Sequence, residues 1–444
     1  MFRRVLVANR GEVAARVIRT CQRLGIETVA IYTKPDEDLT YLQDATERVC
    51  VGDKRSYLDA SAIIQAGLDA RCSAVHPGWG FLSENATFAA RCEAARLTFI
   101  GPRSIHIRTM GDKAVARDTM KALGVPIIPG SDGPLNGPDH AAVVARQIGY
   151  PVLLKALAGG GGRGMRKVYR PDQIQSAFEA ASAEAAGAFG DGRMYLEKLI
   201  EGGRHIEFQI LCDGHKAVIL GERECSVQRR HQKLIEETPS PAVTREQVVE
   251  MSSILAEAVV EMGYLGAGTM EMLRDKDGSI YFMEMNTRLQ VEHTITEERY
   301  GLDLVEHQLA IAANRGLQLS APPDPLGHSI ECRINAEDPQ EDFRPSPGIL
   351  ETLVFPEGEG VRVDSHLQQG DRISPHYDSM FAKIIATAPT RAQAIARMIA
   401  ALEGTTVEGV KTTIPLHLAV LRHPRFVSGD YDTRFLEENL DTLQ

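Results

Sequence analysis

The chain has 444 residues, which suggests about three structural units, and its 60 acidic against 49 basic residues give a net charge of -11. That charge argues against a nucleic-acid-binding protein, and 43% hydrophobic with 25% charged residues excludes an extensively disordered chain. No apolar run reaches the ~18 residues of a membrane span, and seven scattered cysteines without a Cys-x-x-Cys pair indicate neither disulfides nor zinc. We therefore expect a soluble, cytoplasmic, multidomain protein without a membrane or nucleic-acid partner.

The N-terminal region alternates strands and helices. Apolar periodicity predicts these elements in chain order: strand Arg4–Ala8, helix Glu12–Leu24, strand Thr28–Tyr32, strand Ala74–His76, helix Phe88–Arg96 and strand Thr98–Ile100. Short links between strand, helix and strand imply parallel pairing. We expect a Rossmann-like parallel α/β domain over residues 1–112.

The pattern changes to paired strands after residue 150. A helix over Asp112–Leu123 and a linker precede them. The predicted elements are then strands Pro151–Ala156, Met165–Tyr169, Met194–Ile200, Ile206–Leu211, Gly266–Leu273 and Ser279–Met285, with helices Pro171–Ala186 and Gln247–Met262. The fold class is therefore α/β followed by α+β, with a linker helix over 113–126, a lid over 127–200 and a large mixed domain over 201–444.

A glycine run over residues 159–164 is the first chemical signal. It satisfies Gly-x-Gly-x-x-Gly, but a strand follows at Met165 where a dinucleotide fingerprint opens a helix, and no Gly-Lys-Ser/Thr of a Walker A loop follows. A glycine loop between two strands can instead close over phosphates, with Lys155 of the preceding strand as a cation. The alternative is a long hairpin loop without a ligand, which four consecutive glycines disfavour.

Two carboxylates in the next hairpin predict a metal site. If the turn at Lys276–Ser279 is symmetric, Glu271 and Glu284 lie directly opposite each other, with Cβ atoms about 5 Å apart. Two ionised carboxylates repel at this distance unless a cation lies between them. Oxygen ligands beside a nucleotide favour Mg²⁺ (or Mn²⁺), with Asn286 as a third ligand. A surface hairpin with solvated glutamates is the alternative, and the apolar neighbours disfavour it.

Cationic side chains are concentrated in the segment 225–233, and a further polar group follows in 288–293. An acidic protein that concentrates cations in this way is expected to bind an anion there. A solvated basic turn is the alternative for the segment taken alone, and His205 and His231 taken alone are more often structural than functional.

Together these motifs closely resemble the biotin carboxylases of the ATP-grasp superfamily, the subunit or domain that carboxylates biotin in acetyl-CoA, other acyl-CoA, pyruvate and related carboxylases. The resemblance runs nearly from end to end, through segments 8–12, 76–85, 110–113, 155–166, 222–233, 284–293, 331–338 and 377–380. It implies an ATP-grasp lid with the glycine-rich loop, an ATP-grasp core in the large domain, and a biotin carboxylase C-terminal domain.

The resemblance assigns the nucleotide site. Lys113 and Lys155 would contact ATP phosphates, beneath a loop that contains Gly161, Gly162 and Met165. The remaining nucleotide-site residues implied are Glu197, Lys198, Ile200, His205, Gln228, His231 and Leu273. Glu271 and Glu284 would hold Mg²⁺, in agreement with the hairpin argument.

The resemblance also assigns the reacting groups. The bicarbonate site would consist of Lys233, Arg288, and the backbone of Gln290 and Val291. Glu292 would deprotonate bicarbonate, which attacks the ATP γ-phosphate to give carboxyphosphate, and Arg333 would stabilise the enolate of biotin. The products would be N-carboxybiotin, ADP and phosphate.

The implied partners are a separate biotin carboxyl carrier protein, carboxyltransferase subunits and a second copy of the chain in a homodimer. Leu157, Ala158 and Tyr41 depart from the family pattern. Two other functions are considered: a different ATP-grasp carboxylate ligase, which has no evident use for the Arg288–Glu292 and Arg333 group, and a catalytically inactive nucleotide-binding scaffold, which should have lost a base or a metal ligand. The sequence does not indicate the final acyl acceptor.

Overall fold

The computed structural model describes residues 1–156 and 164–443 and divides into two compact units. The large unit comprises Met1–Val125, Arg204–Leu273 and Glu284–Gln444, and the small unit comprises Pro126–Gly203 and Arg274–Met283. Among the described residues, no helix is both long enough and apolar enough to cross a bilayer.

A five-stranded sheet, in the order β3-β2-β1-β4-β5, opens the large unit. Its elements are β1 (Arg4–Val7), α1 (Gly11–Arg23), β2 (Glu27–Tyr32), β3 (Glu47–Cys50), α2 (Ala60–Asp69), β4 (Ala74–His76), α3 (Ala86–Ala94), β5 (Thr98–Phe99), α4 (Ser104–Gly111) and α5 (Lys113–Ala122). Neighbouring strands pair in parallel, which confirms the predicted α/β arrangement. Asp112 caps α5 by accepting bonds from two backbone N–H groups of its first turn.

The small unit is built on a three-stranded antiparallel sheet in the order β7-β6-β8. Its elements are α6 (Pro138–Ile148), β6 (Val152–Ala156), β7 (Met165–Val168), α7 (Ile174–Phe189) and β8 (Met194–Lys198). Leu154, Val168 and Leu196 are fully buried against apolar residues of α6 and α7. The predicted strands therefore form, while the glycine loop (157–163) lies outside the described residues.

An eight-stranded sheet, in the order β13-β12-β9-β10-β11-β14-β21-β19, carries most of the charged residues discussed below. The elements that build and cover it are β9 (Arg204–Asp213), β10 (Ala217–Arg229), β11 (Gln232–Thr238), α8 (Arg245–Glu261), β12 (Leu265–Arg274), β13 (Ile280–Asn286), α9 (His293–Tyr300), α10 (Leu304–Ala312) and β14 (His328–Asn335). The sequence did not predict β10, because Glu222, Arg223 and Glu224 interrupt its apolar pattern although all three are buried.

The C-terminal part of the large unit adds short strands and helices. In chain order they are β15 (Glu337–Asp338), β16 (Arg344–Pro345), β17 (Gly348–Ile349), β18 (Thr352–Val354), β19 (Val361–Ser365), β20 (Arg372–Ile373), β21 (Met380–Ala388), α11 (Arg391–Glu403), β22 (Thr406–Glu408), α12 (Ile414–Arg422), α13 (Pro424–Ser428) and α14 (Phe435–Leu443). Long β21 pairs antiparallel with both β14 and β19, so a row of residues on three strands shares one face.

The turn between β12 and β13 differs from the symmetric turn predicted at Lys276–Ser279. Asp275 N–H donates to Ser279 O at 2.8 Å and Gly278 N–H donates to Asp275 O at 3.1 Å, which defines a three-residue loop. Gly278 has φ +94, a left-handed conformation that suits glycine. Farther along β13, the buried residues Phe282 and Met285 are three positions apart, so the alternation shifts there by one residue. The direct facing of the two predicted metal-binding carboxylates stays a prediction.

Candidate active site

Lys233 lies at the centre of the candidate site, with three carboxylates around its ammonium group. Its Nζ is 2.7 Å from Glu207 Oε2, 2.9 Å from Glu271 Oε1 and 2.7 Å from Glu292 Oε1. Burial lowers the pKa of Lys233, but the carboxylates of Glu207 and Glu292 outweigh that effect and hold it well above its usual value. The ammonium therefore stays charged and can bind an anion.

The strand order brings this cluster together. Glu207 lies on β9, Lys233 on β11 and Glu271 on β12, while Glu292 directly precedes α9. Arg223, on the intervening β10, is paired with Glu207 in register and donates a hydrogen bond to it. Because Arg223 is fully buried and also bonded to neutral side chains of the same unit, it fixes the Glu207 carboxylate beside Lys233.

Glu292 connects Lys233 to Arg333. Its Oε1 accepts from Lys233 and its Oε2 accepts from Arg333 at 3.0 Å, while the side chain has no exposed surface. Burial raises the pKa of Glu292, but the two cations overcome this and hold it well below its usual value. The Nε of Arg333 also donates to Glu236 Oε1 at 2.7 Å. Glu292 is therefore an ionised carboxylate that two cations hold in one orientation.

Arg288 is held by contacts within its own segment and by one remote carboxylate. Its Nε donates to Glu84 Oε2 at 2.8 Å, and its other nitrogens donate to Gln290 Oε1 at 3.0 Å and Asn286 Oδ1 at 3.0 Å. The second oxygen of Glu84 accepts from the backbone N–H of Thr287 at 2.9 Å. Glu84 therefore fixes both the guanidinium and the backbone from which it extends.

The predicted nucleotide-site residues of the large unit are only partly gathered at the cluster. His205 Nε2 lies 3.1 Å from Glu271 Oε2, and Gln228 is paired in register with Lys233. His231 instead lies in the exposed turn between β10 and β11, with φ +67. The first two are thus adjacent to the charged cluster and the third is at the edge of the sheet.

The predicted metal ligands combine three oxygen donors. Glu284 is half-exposed, with Oε2 3.3 Å from Lys113 Nζ, while Glu271 is buried and already bonded to Lys233 and to Gln290 Nε2. Asn286 is buried and its Oδ1 accepts from a guanidinium. Two carboxylates and an amide oxygen fit a hard divalent cation, which would compete with these cationic side chains for the same oxygens.

The remaining predicted residues belong to the small unit or to its boundary. Lys155, on β6, forms an ion pair with Glu197 on β8. Lys198 forms ion pairs of 2.6 Å with Asp275 and 3.3 Å with Asp277. The other members are Ile200, which is half-buried, Met165, which is exposed, and Leu273, half-buried on β12. Gly161, Gly162, Leu157 and Ala158 lie outside the described residues.

Four residues with clear roles at the cluster were not predicted: Glu84, Glu207, Arg223 and Glu236. Glu207, Arg223 and Glu236 lie inside strands. A charged residue flanked by apolar strand residues was the sequence signal that could have identified them. Tyr41, a departure from the family pattern, is buried in the large unit, where its ring packs edge-on against His366 at 5.7 Å.

Comparison with known proteins gives one consistent family. Three family models match in chain order: "Biotin carboxylase, N-terminal domain" over residues 1–107, "Carbamoyl-phosphate synthase L chain, ATP binding domain" over 112–320, and "Biotin carboxylase C-terminal domain" over 331–438.

Individual relatives cover almost the whole chain. A biotin carboxylase of a Nostoc species is 48% identical over 442 residues, 98% of this chain and 99% of the relative. Biotin carboxylase 1 of Bacillus subtilis is 48% identical over 445 residues, 98% of each. The biotin carboxylase domain dimer of Hydrogenobacter thermophilus 2-oxoglutarate carboxylase, solved with MgADP, ADP and bicarbonate, is 47% identical with a TM-score of 0.89 and covers 100% of this chain and 99% of that one.

Proposed function

Because the chain belongs to the biotin carboxylase family, it is an ATP-dependent ligase that carboxylates biotin with bicarbonate, and we propose that the Lys233 cluster is its reaction centre. The observation that carries the proposal is the buried Glu292 carboxylate, bonded at one oxygen to Lys233 and at the other to Arg333. This arrangement links a base to one cation suited to bicarbonate and another suited to a second anion.

Lys233, Arg288 and the backbone of Gln290 and Val291 would bind bicarbonate, and Glu292 would remove its proton. A Lys233 ammonium that turns toward the substrate oxygens weakens its bond to Glu292. The pKa of Glu292 then rises toward that of a useful base. The deprotonated bicarbonate would attack the ATP γ-phosphate, giving ADP and carboxyphosphate.

Arg333 would act in the second step. Carboxyphosphate breaks down to CO₂ and phosphate, and the released phosphate would take the ureido proton of biotin, leaving an enolate whose negative charge a guanidinium stabilises. The Arg333 side chain is already oriented by Glu236 and Glu292, so little reorganisation is needed. The enolate then attacks CO₂ and gives N-carboxybiotin.

The nucleotide and its metal would use the remaining predicted residues. Lys113 and Lys155 would contact phosphates beneath the loop of Gly161, Gly162 and Met165. The base and ribose would be bound by Glu197, Lys198, Ile200, His205, Gln228, His231 and Leu273. Glu271 and Glu284, with Asn286, would hold Mg²⁺ (or Mn²⁺), which neutralises phosphate charge when bound.

The domain organisation and the partners are part of the same proposal, and membership of the family supports them. We propose the division into residues 1–112, a linker helix over 113–126, a lid over 127–200 and a large domain over 201–444, and a cytoplasmic location. A homodimer is supported by the dimeric Hydrogenobacter thermophilus relative. A biotin carboxyl carrier protein and carboxyltransferase subunits would supply biotin and transfer its carboxyl group.

The test measures ADP release by the purified chain with and without bicarbonate, and with and without free biotin. We expect bicarbonate-dependent ADP release that free biotin stimulates, together with incorporation of labelled bicarbonate carbon into biotin. Glu292→Gln is the control because it keeps the size of the side chain and removes the base. ADP release that does not depend on bicarbonate, or that survives fully in Glu292→Gln, would refute the assignment.

A further inference from the structure

A lysine on the same sheet as Arg333 is buried without a role in the reaction described above. Lys383, on β21, is paired in register with Arg333 on β14 and with Asp364 on β19. Residues opposite one another in an antiparallel sheet point to the same face. On this face Arg333 reaches the side chain of Glu292, whereas Lys383 reaches the residue before it.

Lys383 has two close partners. Its side chain has no exposed surface, and Nζ donates to the backbone carbonyl of Val291 at 2.6 Å. The second partner is Glu12 on α1, whose Oε1 lies 3.3 Å away. Both carboxylate oxygens of Glu12 are buried and accept no hydrogen bond from any described residue. Glu12 therefore serves as a counter-ion, and the directed hydrogen bond of Lys383 goes to Val291.

Other titratable groups interact electrostatically with Lys383. They are Asp364 on β19, Glu331 on β14, and His293 at the start of α9. Burial raises the pKa of Asp364, but Arg362 outweighs that effect and keeps Asp364 ionised. Burial favours the neutral forms of Glu331 and His293, so Asp364 supplies negative charge beside the ammonium. An ammonium is costly to bury, and an apolar residue could fill the same space without that cost. What an apolar residue could not supply is the hydrogen bond to the Val291 carbonyl.

That bond fixes the orientation of the segment that precedes α9. In a trans peptide the carbonyl and the following N–H point in opposite directions, so holding Val291 O also directs the N–H of Glu292. The preceding peptide is held in the same way, because Gln290 O lies 2.8 Å from His293 Nδ1. Two consecutive peptide planes are therefore set from the buried side, which determines where the N–H of Val291 and the Glu292 carboxylate lie.

We propose that Lys383 is a positioning residue for the bicarbonate site, acting through the carbonyl of Val291 with Glu12 as its counter-ion. The proposal rests on the proposed function, since it assumes that the 290–292 segment binds bicarbonate. Lys383 would touch neither bicarbonate nor the nucleotide. Its loss should therefore impair bicarbonate use and leave ATP binding intact.

The experiment measures bicarbonate-dependent ADP release by the full chain with Lys383→Met, which keeps most of the side-chain volume and removes the donor. We expect the KM for bicarbonate to rise by about 10- to 100-fold, as for a small misplacement of a reacting group, with the KM for ATP within about twofold of wild type. Lys216→Met is the matched control, because Lys216 also donates to a backbone carbonyl, that of Leu319, away from the cluster.

A second variant separates positioning from stability. Lys383→Met leaves Glu12 buried without its cation, so Glu12→Gln/Lys383→Met removes both charges and should restore the melting temperature while the bicarbonate KM stays high. A folded double variant with a wild-type bicarbonate KM would overturn the proposal. A double variant that does not fold would also overturn it, because Glu12 and Lys383 would then serve the stability of the fold. A wild-type chain without bicarbonate-dependent turnover would refute the proposed function itself.

Discussion

The Lys233 ammonium lies 2.7 Å from Oε1 of Glu292, a carboxylate with no exposed surface. The pKa of each group is displaced from its usual value so that both stay charged: burial opposes the charges, and their attraction overcomes it. A pair of this kind is strongly coupled, because removing one partner leaves the other charge buried and unpaired. The state of Glu292 is therefore set largely by Lys233.

The first prediction is that Lys233→Met shifts the pH dependence of bicarbonate-dependent ADP release. Without the cation the pKa of Glu292 rises, because an adjacent opposite charge that favours the ionised form is lost. Since the base must be ionised, the acidic limb of the pH–rate profile moves to higher pH. Lys233→Arg keeps the charge and should retain the wild-type limb. Superimposable acidic limbs in wild type and Lys233→Met would contradict the role given to Glu292.

The second prediction separates the two half-reactions. Glu292→Gln should reduce ADP release and biotin carboxylation together, by about 10²–10⁴-fold, the usual contribution of a general base. Arg333→Ala should reduce N-carboxybiotin formation by about 10²–10³-fold, while slow ADP release without biotin persists. The paired measurement is ADP release without biotin and incorporation of labelled carbon into free biotin.

Arg391→Ala is the control for Arg333→Ala, since Arg391 also binds a buried glutamate, Glu237, but lies outside the cluster. It should leave the ratio of the two rates unchanged. If Arg333→Ala abolishes biotin-independent ADP release as fully as Glu292→Gln does, Arg333 belongs to the bicarbonate or nucleotide site instead.

The third prediction concerns the metal. Glu284→Gln removes one of the two carboxylates and should raise the Mg²⁺ concentration needed for half-maximal ADP release, and Glu271→Gln should act in the same direction. Glu271→Gln should also impair bicarbonate use, because Glu271 is bonded to Lys233 and Gln290. Glu47→Gln, at an exposed ion pair with Arg4, is the control. Unchanged Mg²⁺ dependence in both site variants would refute the metal assignment.

Much of the fold was predictable because local signals agreed with it. Strand Ala74–His76 was predicted with its observed bounds, and the helix predicted over Asp112–Leu123 is observed as α5, over Lys113–Ala122. The strand β10 was missed because its charged residues are buried and paired, whereas a hydropathy pattern assumes that charges face solvent.

The residues of the candidate site likewise fall into those that the sequence predicted and those that it did not. Residues in contiguous motifs, such as Arg288 and Glu292, were found from the sequence, because the motif itself carried the resemblance. Glu84 was missed as an individual residue, since its contact with Arg288 spans 204 positions of the chain. The roles of Glu207 and Arg223 depend likewise on the register of β9 against β10, which the sequence does not specify.

The last prediction concerns Glu331 on β14, which is paired in register with Glu236 on β11 and is fully buried. Burial raises its pKa from 4.5 to about 7. Its Oε2 accepts a hydrogen bond from Thr294, and its Oε1 has no hydrogen-bond partner among the described residues. Between pH 4.5 and 7 the unfolded chain therefore loses this proton while the folded chain keeps it, so stability falls as pH rises through that window and levels off above it.

Glu331→Gln resembles the neutral acid at every pH and should remove this loss. Its melting temperature should match wild type near pH 5 and exceed it at pH 8, a gain of about 1–3 kcal/mol in the free energy of unfolding. Glu237→Gln is the opposing control. Burial alone would raise the pKa of Glu237, but hydrogen bonds and charge from His328 and Arg391 outweigh burial and lower that pKa to about 2. The ionised Glu237 carboxylate therefore stabilises the folded chain above pH 4.5, and the glutamine variant should melt below wild type at both pH values. The test is thermal unfolding of wild type, Glu331→Gln and Glu237→Gln from pH 5 to 8. A difference in melting temperature between Glu331→Gln and wild type that does not grow with pH would show that Glu331 is already ionised in the folded chain.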